Sequence, residues 1–455
     1  MGHDRPGRVT RLACLASASA ALCSTAALAM NDLETGALRY TIELVEHPDA
    51  QSLVIKDINE SGDAAGFAFL GFGQPITHKP FIWKDGVPTI LPTTAYWTDG
   101  LRINDAGLCV GVDFDDGHVL HYTENATTDL GDLGDLFGVS MYFRAMNDDG
   151  RFAGYRPLGS SRYEGFTWSE ASGIIKVAPD QSSSQANDIN AAGDVVGYVG
   201  LHYEARAFHY RDGVRTDFGA GWTGDSRALS IDDSGRILVE HDDDAVGTAR
   251  YQVVDADTLT ILYEGPTFPA DAYSEQVVAA ETGAMATCWV ESSTGPHLGV
   301  WTLESGMQEI ALPEGTIQAL ITTGNEQGDI LGVVLNQQYQ HTPYVASLSG
   351  GFMPLQERVI GESPATLDLC SVIDMNDAGQ VAVEFCSNSY GPCAILTPAR
   401  PGDANGDGLV NGTDLALILG HWGQYPTDGV CGPDLDMNGV IDGVDLTLCL
   451  GDWDV

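Results

Sequence analysis

Two twelve-residue stretches near the C-terminus, 403–414 and 434–445, hold the side chains with the clearest chemistry. Each has an oxygen-bearing side chain at positions 1, 3, 5, 9 and 12 and a glycine at position 6. A calcium ion needs several oxygens converging at about 2.3–2.6 Å, and this glycine permits the sharp turn of such a loop. We predict two Ca2+ ions, bound by the side chains of Asp403, Asn405, Asp407, Asn411, Asp414, Asp434, Asp436, Asn438, Asp442 and Asp445 and the position-7 carbonyls of Leu409 and Val440.

A pair of acidic turns is the alternative interpretation, because Asp, Asn and Gly are common in loops. Two matches 31 residues apart, each with an apolar residue at position 8, favour calcium binding. Position 12 is Asp in both loops (Asp414 and Asp445), where the longer Glu usually binds through both of its oxygens.

The elements that must position these loops are short helices. Residues 415–422 and 446–453 are apolar runs with the spacing of an amphipathic helix. Proline and glycine precede each loop and oppose an incoming helix. Each unit is therefore predicted to be a loop followed by a helix, without the first helix of an EF-hand.

This duplicated loop and helix resembles a dockerin module over residues 401–455, in the variant that ends in Leu-Gly-x-Trp at 419–422 and 450–453. The resemblance implies a calcium-dependent module that binds a cohesin-type receptor. Positions 10 and 11 often determine the partner in that family. They are Gly412-Thr413 and Gly443-Val444 here, which are not a matching pair, so the type of partner stays open.

The N-terminus is typical of an export signal. Arg5, Arg8 and Arg11 precede a short apolar stretch that ends in Ala27-Leu28-Ala29, a small-x-small cleavage site. We predict a signal peptide over 1–29 and a secreted chain without a membrane span. The full chain has 64 acidic and 21 basic residues and a net charge of −43, which argues against nucleic acid and anionic lipid as partners.

Export permits disulfides among the nine cysteines, two of which lie in the predicted signal. Cys386 and Cys393 flank a turn and are candidates for a bond across a hairpin. Cys431 and Cys449 are candidates within the terminal module. Sequence alone does not fix the pairing, and the odd number in the mature chain means that at least one thiol is unpaired or bonded to another chain.

A repeat of just over forty residues fills 39–398. Its best-marked element is Ile-Asn-Asp-x-Gly-x-x-x-Gly. Asn opens a turn by bonding to its own backbone, and the first glycine closes that turn in the left-handed conformation. The turn glycines are Gly62, Gly107, Gly150, Gly193, Gly235, Gly283, Gly328 and Gly379.

Each repeat also contains later apolar segments, which together predict an antiparallel meander of three or four short strands. Such units indicate the blades of a β-propeller, because one meander cannot bury both faces. We predict a mainly β fold over 30–398, with eight units (seven as the alternative), a linker at 399–402 and a small α calcium domain at 403–455. The last unit lacks a strand, which 40–45 is expected to supply, thereby closing the ring.

The segment Ala207-Phe208-His209-Tyr210, with the turn at 231–235, resembles the extracellular HAF repeats. The match is good over 50–240 and weak over 240–398, and Arg206 stands where that family has His. The resemblance implies a secreted β repeat protein and supplies no catalytic residues.

Three functions remain open for the propeller, since no catalytic motif is apparent in the sequence. The first is a binding or structural body, with a glycan as the possible ligand and aromatic or amide groups on its rim. The second is a polysaccharide hydrolase or lyase, which requires acidic side chains with raised pKa values at the channel mouth. The third is a calcium-stabilised matrix protein with no discrete ligand. The repeated Asn and Asp residues are expected to be turn formers, although a polar ring for a glycan or an ion is the alternative.

Overall fold

The computed structural model describes residues 38–454, with gaps at 72–76, 96, 114, 116, 124, 133–141, 160, 202–203, 220–221, 223, 244–247, 267, 269–271, 280–283, 292, 326, 362–367, 387–391 and 425–431. The predicted signal peptide lies outside the described residues. Among these residues, no helix is long and apolar enough to cross a bilayer. The described residues form eight four-stranded sheets and two short α-helices.

The chain enters the fold with β1 (Tyr40–Val45) and then builds the sheets in order. Blade 1 is β2 (Ser52–Ile58), β3 (Ala64–Phe69), β4 (His78–Lys84) and β5 (Val87–Ile90). Blade 2 is β6 (Thr98–Ile103), β7 (Cys109–Asp113), β8 (His118–Thr123) and β9 (Ala126–Asp132). Blade 3 is β10 (Tyr142–Met146), β11 (Phe152–Pro157), β12 (Tyr163–Ser169) and β13 (Gly173–Lys176). Blade 4 is β14 (Ser184–Ile189), β15 (Val195–Val199), β16 (Arg206–Arg211) and β17 (Val214–Asp217).

The remaining blades follow the same plan. Blade 5 is β18 (Ser226–Ile231), β19 (Arg236–Asp243), β20 (Thr248–Asp255) and β21 (Ile261–Glu264). Blade 6 is β22 (Ala272–Ala279), β23 (Met285–Glu291), β24 (Gly295–Thr302) and β25 (Gly306–Ile310). Blade 7 is β26 (Thr316–Gly324), β27 (Ile330–Asn336), β28 (His341–Ser347) and β29 (Gly351–Pro354). Blade 8 is β30 (Leu369–Met375), β31 (Val381–Phe385) and β32 (Cys393–Pro398), completed by β1.

The eight sheets form a closed ring. The first strand of each blade is the innermost one, and β2 contacts both β6 of the next blade and β30 of the last. β1 pairs antiparallel with β32 from Tyr40↔Pro398 to Val45↔Cys393. The prediction of a β-propeller with eight units is therefore confirmed, with four strands in every blade. The closing role expected for 40–45 is confirmed by the same pairing.

The repeated Asn ties neighbouring blades together. Asn59 Oδ1 accepts a hydrogen bond from the Asp63 amide at 2.8 Å, which closes its own turn. Its Nδ2 donates at 2.8 Å to the carbonyl of Asn104, the equivalent residue of the next blade. The same link from one blade to the next is made by Asn376, Asn104, Asn147 and Asn190. These residues are buried, so they are turn formers that also join the blades rather than an open ring for a ligand.

The second glycine of the repeat is required by close backbone approach. A Cβ at Gly66, Gly154 or Gly197 would lie about 2 Å from a carbonyl oxygen of the inner strand of the same blade. Real Cβ atoms never approach a backbone oxygen so closely, so only glycine fits there. The register of the inner strand shifts just beyond this contact in all three blades.

The cysteines correct one prediction and leave another open. Cys386 forms a disulfide with Cys370 of β30 rather than with Cys393, which is a buried free thiol at the start of β32. The prediction was wrong because β31 has two antiparallel neighbours. Cys393 lies on one of them, β32, whereas the disulfide partner Cys370 lies on the other, β30. Cys449 is a buried free thiol, and its expected partner Cys431 lies outside the described residues.

In the described part of the C-terminal module, the two loops are followed by two helices, α1 (Gly412–Gly420) and α2 (Gly443–Gly451). Each helix begins at position 10 of the preceding loop, as the loop-then-helix prediction requires. A 3-10 turn, Leu355–Glu357, precedes the last blade. The module has its own small core, formed by Ala404, Val410, Ile418, Leu435, Ile441, Leu448 and Cys449.

Candidate functional site: the C-terminal loops and the two faces of the ring

The first loop is folded around two buried carboxylates. Asp403 is fully buried and accepts hydrogen bonds from the amides of Gly406 at 2.7 Å and Gly408 at 2.8 Å. Asp414 is also fully buried, and its Oδ1 accepts from the Ala404 and Asn405 amides. Positions 1 and 12 therefore hold the loop closed from its two ends.

The second loop repeats this arrangement with one difference. Asp445 Oδ1 accepts from the Leu435 amide at 2.6 Å, and Asp434 Oδ2 accepts from the Gly439 amide at 2.9 Å. Asp434 Oδ1 is buried and accepts no hydrogen bond from the residues that the structure describes. Burial and the neighbouring Asp445 and Asp436 raise the pKa of Asp434 above its usual range.

Three carboxylates meet in this second loop. Asp434, Asp436 and Asp445 each place a carboxylate oxygen within 4.8 Å of the others. Like charges so close destabilise one another unless a cation lies between them. The orphaned Asp434 oxygen and this donor set fit a hard cation of the calcium type. In the first loop both oxygens of Asp403 already accept amides, so the fit is weaker there.

The other predicted ligands lie along the same loops. Asn405 Oδ1 accepts from the Asp407 amide at 3.0 Å, and Asn438 Oδ1 accepts from the Val440 amide at 2.8 Å. Position 9 caps the helices: the side chains of Asn411 and Asp442 accept from the amides of Thr413 and Val444. The side chain of Leu409, whose carbonyl is the predicted ligand, is exposed.

The residues expected to recognise a partner lie at the surface of the module. Gly412, Thr413, Gly443 and Val444 begin the two helices and are all exposed. Leu419, Trp422 and Leu450 at the far ends of the helices are also about half exposed.

On one face of the propeller, acidic residues lie in turns at the ends of several inner strands. They follow the repeated Asn in the turns after the inner strands. Glu60 Oε2 accepts from the Asp377 amide at 2.8 Å, and Asp105 Oδ1 accepts from the Glu60 amide at 2.8 Å. Asp148 and Asp233 accept from the preceding blade in the same way. Partial burial, with neighbouring Asp377 and Asp105, raises the pKa of Glu60 to about 7.

The sequence places an acid after the Asn of most repeats, and the repeated Asn and Asp were expected to be turn formers, with a polar ring as the alternative. The four contacts just described are all to backbone amides, which is a structural role. The raised pKa of Glu60 nevertheless meets one requirement of the enzyme alternative, namely a carboxyl group with a pKa near neutrality.

The opposite face exposes aromatic rings where inner strands begin. Trp97, just before β6, is 44% exposed and its ring lies 4.7 Å from that of His78. Tyr142, the first residue of β10, is 43% exposed and lies 5.0 Å from the ring of Tyr155. Rings fixed against other rings in this way suit stacking on a flat apolar ligand face. The mid-strand aromatics, in contrast, are core residues, as expected; examples are Phe81, Tyr122, Phe166, Phe208 and Tyr344.

The comparisons with known proteins concern the fold alone. No protein-family model and no curated protein sequence matches the chain significantly. The WD40 domain of SCAP from fission yeast is similar, at 10% identity over 81% of this chain and 99% of that one, with a TM-score of 0.47. The Dos1 propeller is 10% identical over 78% and 95%, with a TM-score of 0.48.

Virginiamycin B lyase from Staphylococcus aureus is also similar, at 12% identity over 66% of this chain and 94% of that one, with a TM-score of 0.40. Because these scores stay below 0.5, the architecture rests on the strand pairing of this chain itself. The resemblances to dockerin modules and HAF repeats remain predictions.

Proposed function

We propose that this chain is a secreted β-propeller that binds a ligand on its ring and docks to a cohesin-type receptor through a two-calcium, dockerin-like module. The observation that carries the calcium part is the second loop, where a buried Asp434 oxygen without a partner meets two further carboxylates. A hard cation at that point offsets the repulsion among the three acids. Asp403 and Asp434 at position 1, with Asp414 and Asp445 at position 12, would hold the two ions.

The chain's own residues supply the rest of the docking surface. The capping boxes at Asn411 and Asp442 fix the start of each helix relative to its loop. This places Thr413 and Val444, which differ in polarity, at equivalent positions on the surface. A receptor that contacts the first turn of a helix therefore meets two different surfaces on one module.

Capture by immobilised cohesin domains tests the docking proposal. We expect the full-length chain to be retained in calcium and released by a chelator, because the helix starts are positioned by the loops. A double variant, Thr413→Asp with Val444→Asp, is expected to lose at least about tenfold in affinity, equal to about 1.4 kcal/mol. Leu303→Asp, on an exposed turn of the propeller, is the matched control. Equal retention with and without calcium would contradict the proposal.

A glycan is the ligand that the aromatic face supports best. Trp97 and Tyr142 lie on the same face of neighbouring blades, each backed by a second ring. We expect Trp97→Ala to weaken binding in a polysaccharide retention screen by about fivefold to tenfold, because a stacked ring contributes about 1 kcal/mol. Tyr339→Ala removes an exposed ring from the same face of blade 7 and is expected to leave binding unchanged. Equal retention of Trp97→Ala and the unaltered chain would exclude this face as the glycan-binding site.

The alternative function is a polysaccharide hydrolase or lyase, which the raised pKa of Glu60 favours. The same screen, read for released oligosaccharides, separates the two functions. Cleavage that is lost in Glu60→Gln would support the enzyme, whereas retention without cleavage supports the binding protein.

A further inference from the structure

The closing strand of the ring is anchored in the C-terminal module. Arg39 immediately precedes β1 and is only 1% exposed. Its Nη1 donates at 3.0 Å to the carbonyl of Gly432, two residues before Asp434 of the second loop. Its Nη2 donates to the carbonyls of Pro401 at 2.8 Å and Arg400 at 3.3 Å. One guanidinium therefore joins the closing segment, the linker and the residue two positions before the second loop.

The first loop touches the same strand. A Cβ placed on Gly406 would lie 3.3 Å from methyl carbons of both Thr41 in β1 and Ile360. The Gly406 amide is held by Asp403, a predicted ligand, at 2.7 Å. Ile360 in turn donates its amide to the carbonyl of Tyr40 at 2.8 Å. β1 is thus bounded by β32, by the segment around Ile360 and by the module.

Because the charge of Arg39 is buried, the position of Arg39 depends on its hydrogen bonds to the C-terminal module. A guanidinium removed from water destabilises the structure unless carbonyls or carboxylates surround it. The Gly432 and Pro401 carbonyls take these positions only when the linker and the second loop are folded. If the loop loses its shape, Arg39 must return to water, and β1 begins at the very next residue.

We propose that the C-terminal module is a calcium-dependent latch, in addition to any role in docking. By latch we mean that the folded module holds β1 against β32, the pairing that closes the ring. Calcium that folds the loops also holds β1 in blade 8, because Arg39 and Gly406 transmit the fold of the module to that strand. The proposal rests on the calcium binding proposed above. By linkage, an ion that binds only the latched form stabilises the closed ring.

Hydrogen exchange of the full-length protein, followed by mass spectrometry, tests the latch. In calcium, the peptide that contains residues 40–45 is expected to exchange slowly. After chelation its exchange is expected to rise at least about tenfold, while a peptide from β15 in blade 4 stays unchanged. The melting temperature of the propeller is expected to fall by about 3–5 °C.

Arg39→Gln is expected to remove the calcium dependence of exchange at 40–45 while calcium binding to the loops persists. Arg215→Gln, which removes a paired arginine from blade 4, is the matched control and is expected to keep the full calcium response. Arg39→Lys keeps the charge but cannot reach all three carbonyls together, so an intermediate response is expected. It replaces Arg39→Gln in the test if that variant does not fold.

The two proposals fail in different ways. If calorimetry shows no calcium binding to the full-length chain, the proposed calcium-dependent docking module is wrong, and the latch is wrong with it. If calcium binds but exchange at 40–45 is the same with and without it, the latch is overturned and the calcium module stands. The same holds if Arg39→Gln and Arg39→Lys respond to calcium like the unaltered chain.

Discussion

A chain that lacks residues 30–46 is expected to lose a stable ring. The deletion removes β1, and with it the six register pairs from Tyr40↔Pro398 to Val45↔Cys393. Tyr40 and Val45 are each 1% exposed, and burying two such side chains contributes about 3–6 kcal/mol. The net stability of a folded domain is about 5–15 kcal/mol, so this loss is a large part of the whole.

The edge left behind by the deletion adds to the effect. β32 would present unpaired backbone groups, and its buried Ala394 and Leu396 would be uncovered. Thermal unfolding followed by circular dichroism is expected to show a fall in melting temperature of about 10 °C or more. A melting temperature equal to that of the parent would show that 40–45 does not close the ring.

A synthetic peptide of residues 38–46 provides the control. Added to the deleted chain, it is expected to restore the transition in a concentration-dependent way, because it binds only the folded ring. The same peptide with Tyr40→Asp and Val45→Asp places charges at buried positions and is expected to have no effect. Rescue by both peptides would point to non-specific stabilisation instead.

The ring could be predicted from the repeat because every blade needs the same turn after its inner strand and the same close contact between its first two strands. The Asn opens a turn within five residues, and the second glycine lets two strands meet, so both leave a mark in the sequence. The outer strands leave a weaker mark. β5 and β17 have only four residues each, with partial or full exposure along their length, and without a buried face they show no alternation. This is why three and four strands could not be distinguished.

Contacts between blades were harder to predict, because the side chain that accepts an amide of the next blade is not the same residue type in every blade. Between blades 1 and 2, Asp57 accepts the Ile103 amide at 2.7 Å, and between blades 4 and 5, Asp188 accepts the Ile231 amide at 2.9 Å. In blade 6 the acceptor is Gln276, which takes the Ile321 amide at 3.0 Å. The weak marking of blade 6 in the sequence therefore does not mean that its contacts are missing.

In the candidate site, too, the contacts within a loop could be predicted from the sequence and the contacts between distant residues could not. The two C-terminal loops are twelve residues each, and the spacing within the second loop was enough to place Asp434 near Asp445. Arg39 gave no signal, because its partners lie more than 360 residues away. The disulfide partner of Cys386 was missed for a related reason, since strand order and not sequence distance decides which cysteines meet.

The double variant Asp403→Ala with Asp434→Ala is expected to bind no calcium and to leave the C-terminal module unfolded. Each aspartate is the position-1 residue of its loop and accepts loop amides, those of Gly408 and Gly439. Removing either carboxylate takes the charged acceptor away from these partly buried hydrogen bonds, a loss of about 1 kcal/mol each. The small core of the module, with Ile418 and Leu448, cannot offset such losses without the ion.

Metal analysis and hydrogen exchange of the full-length protein measure this outcome. We expect bound calcium to fall from two ions per chain to none, and exchange over α1 and α2 to become fast. Glu170→Ala with Glu314→Ala removes the same charge from exposed positions of the propeller and is the control. Of the single variants, Asp434→Ala is expected to weaken binding more than Asp403→Ala, because only Asp434 has a buried oxygen that the described residues leave without a donor. Two bound ions and protected helices in the double variant would show that these loops are acidic turns rather than calcium sites.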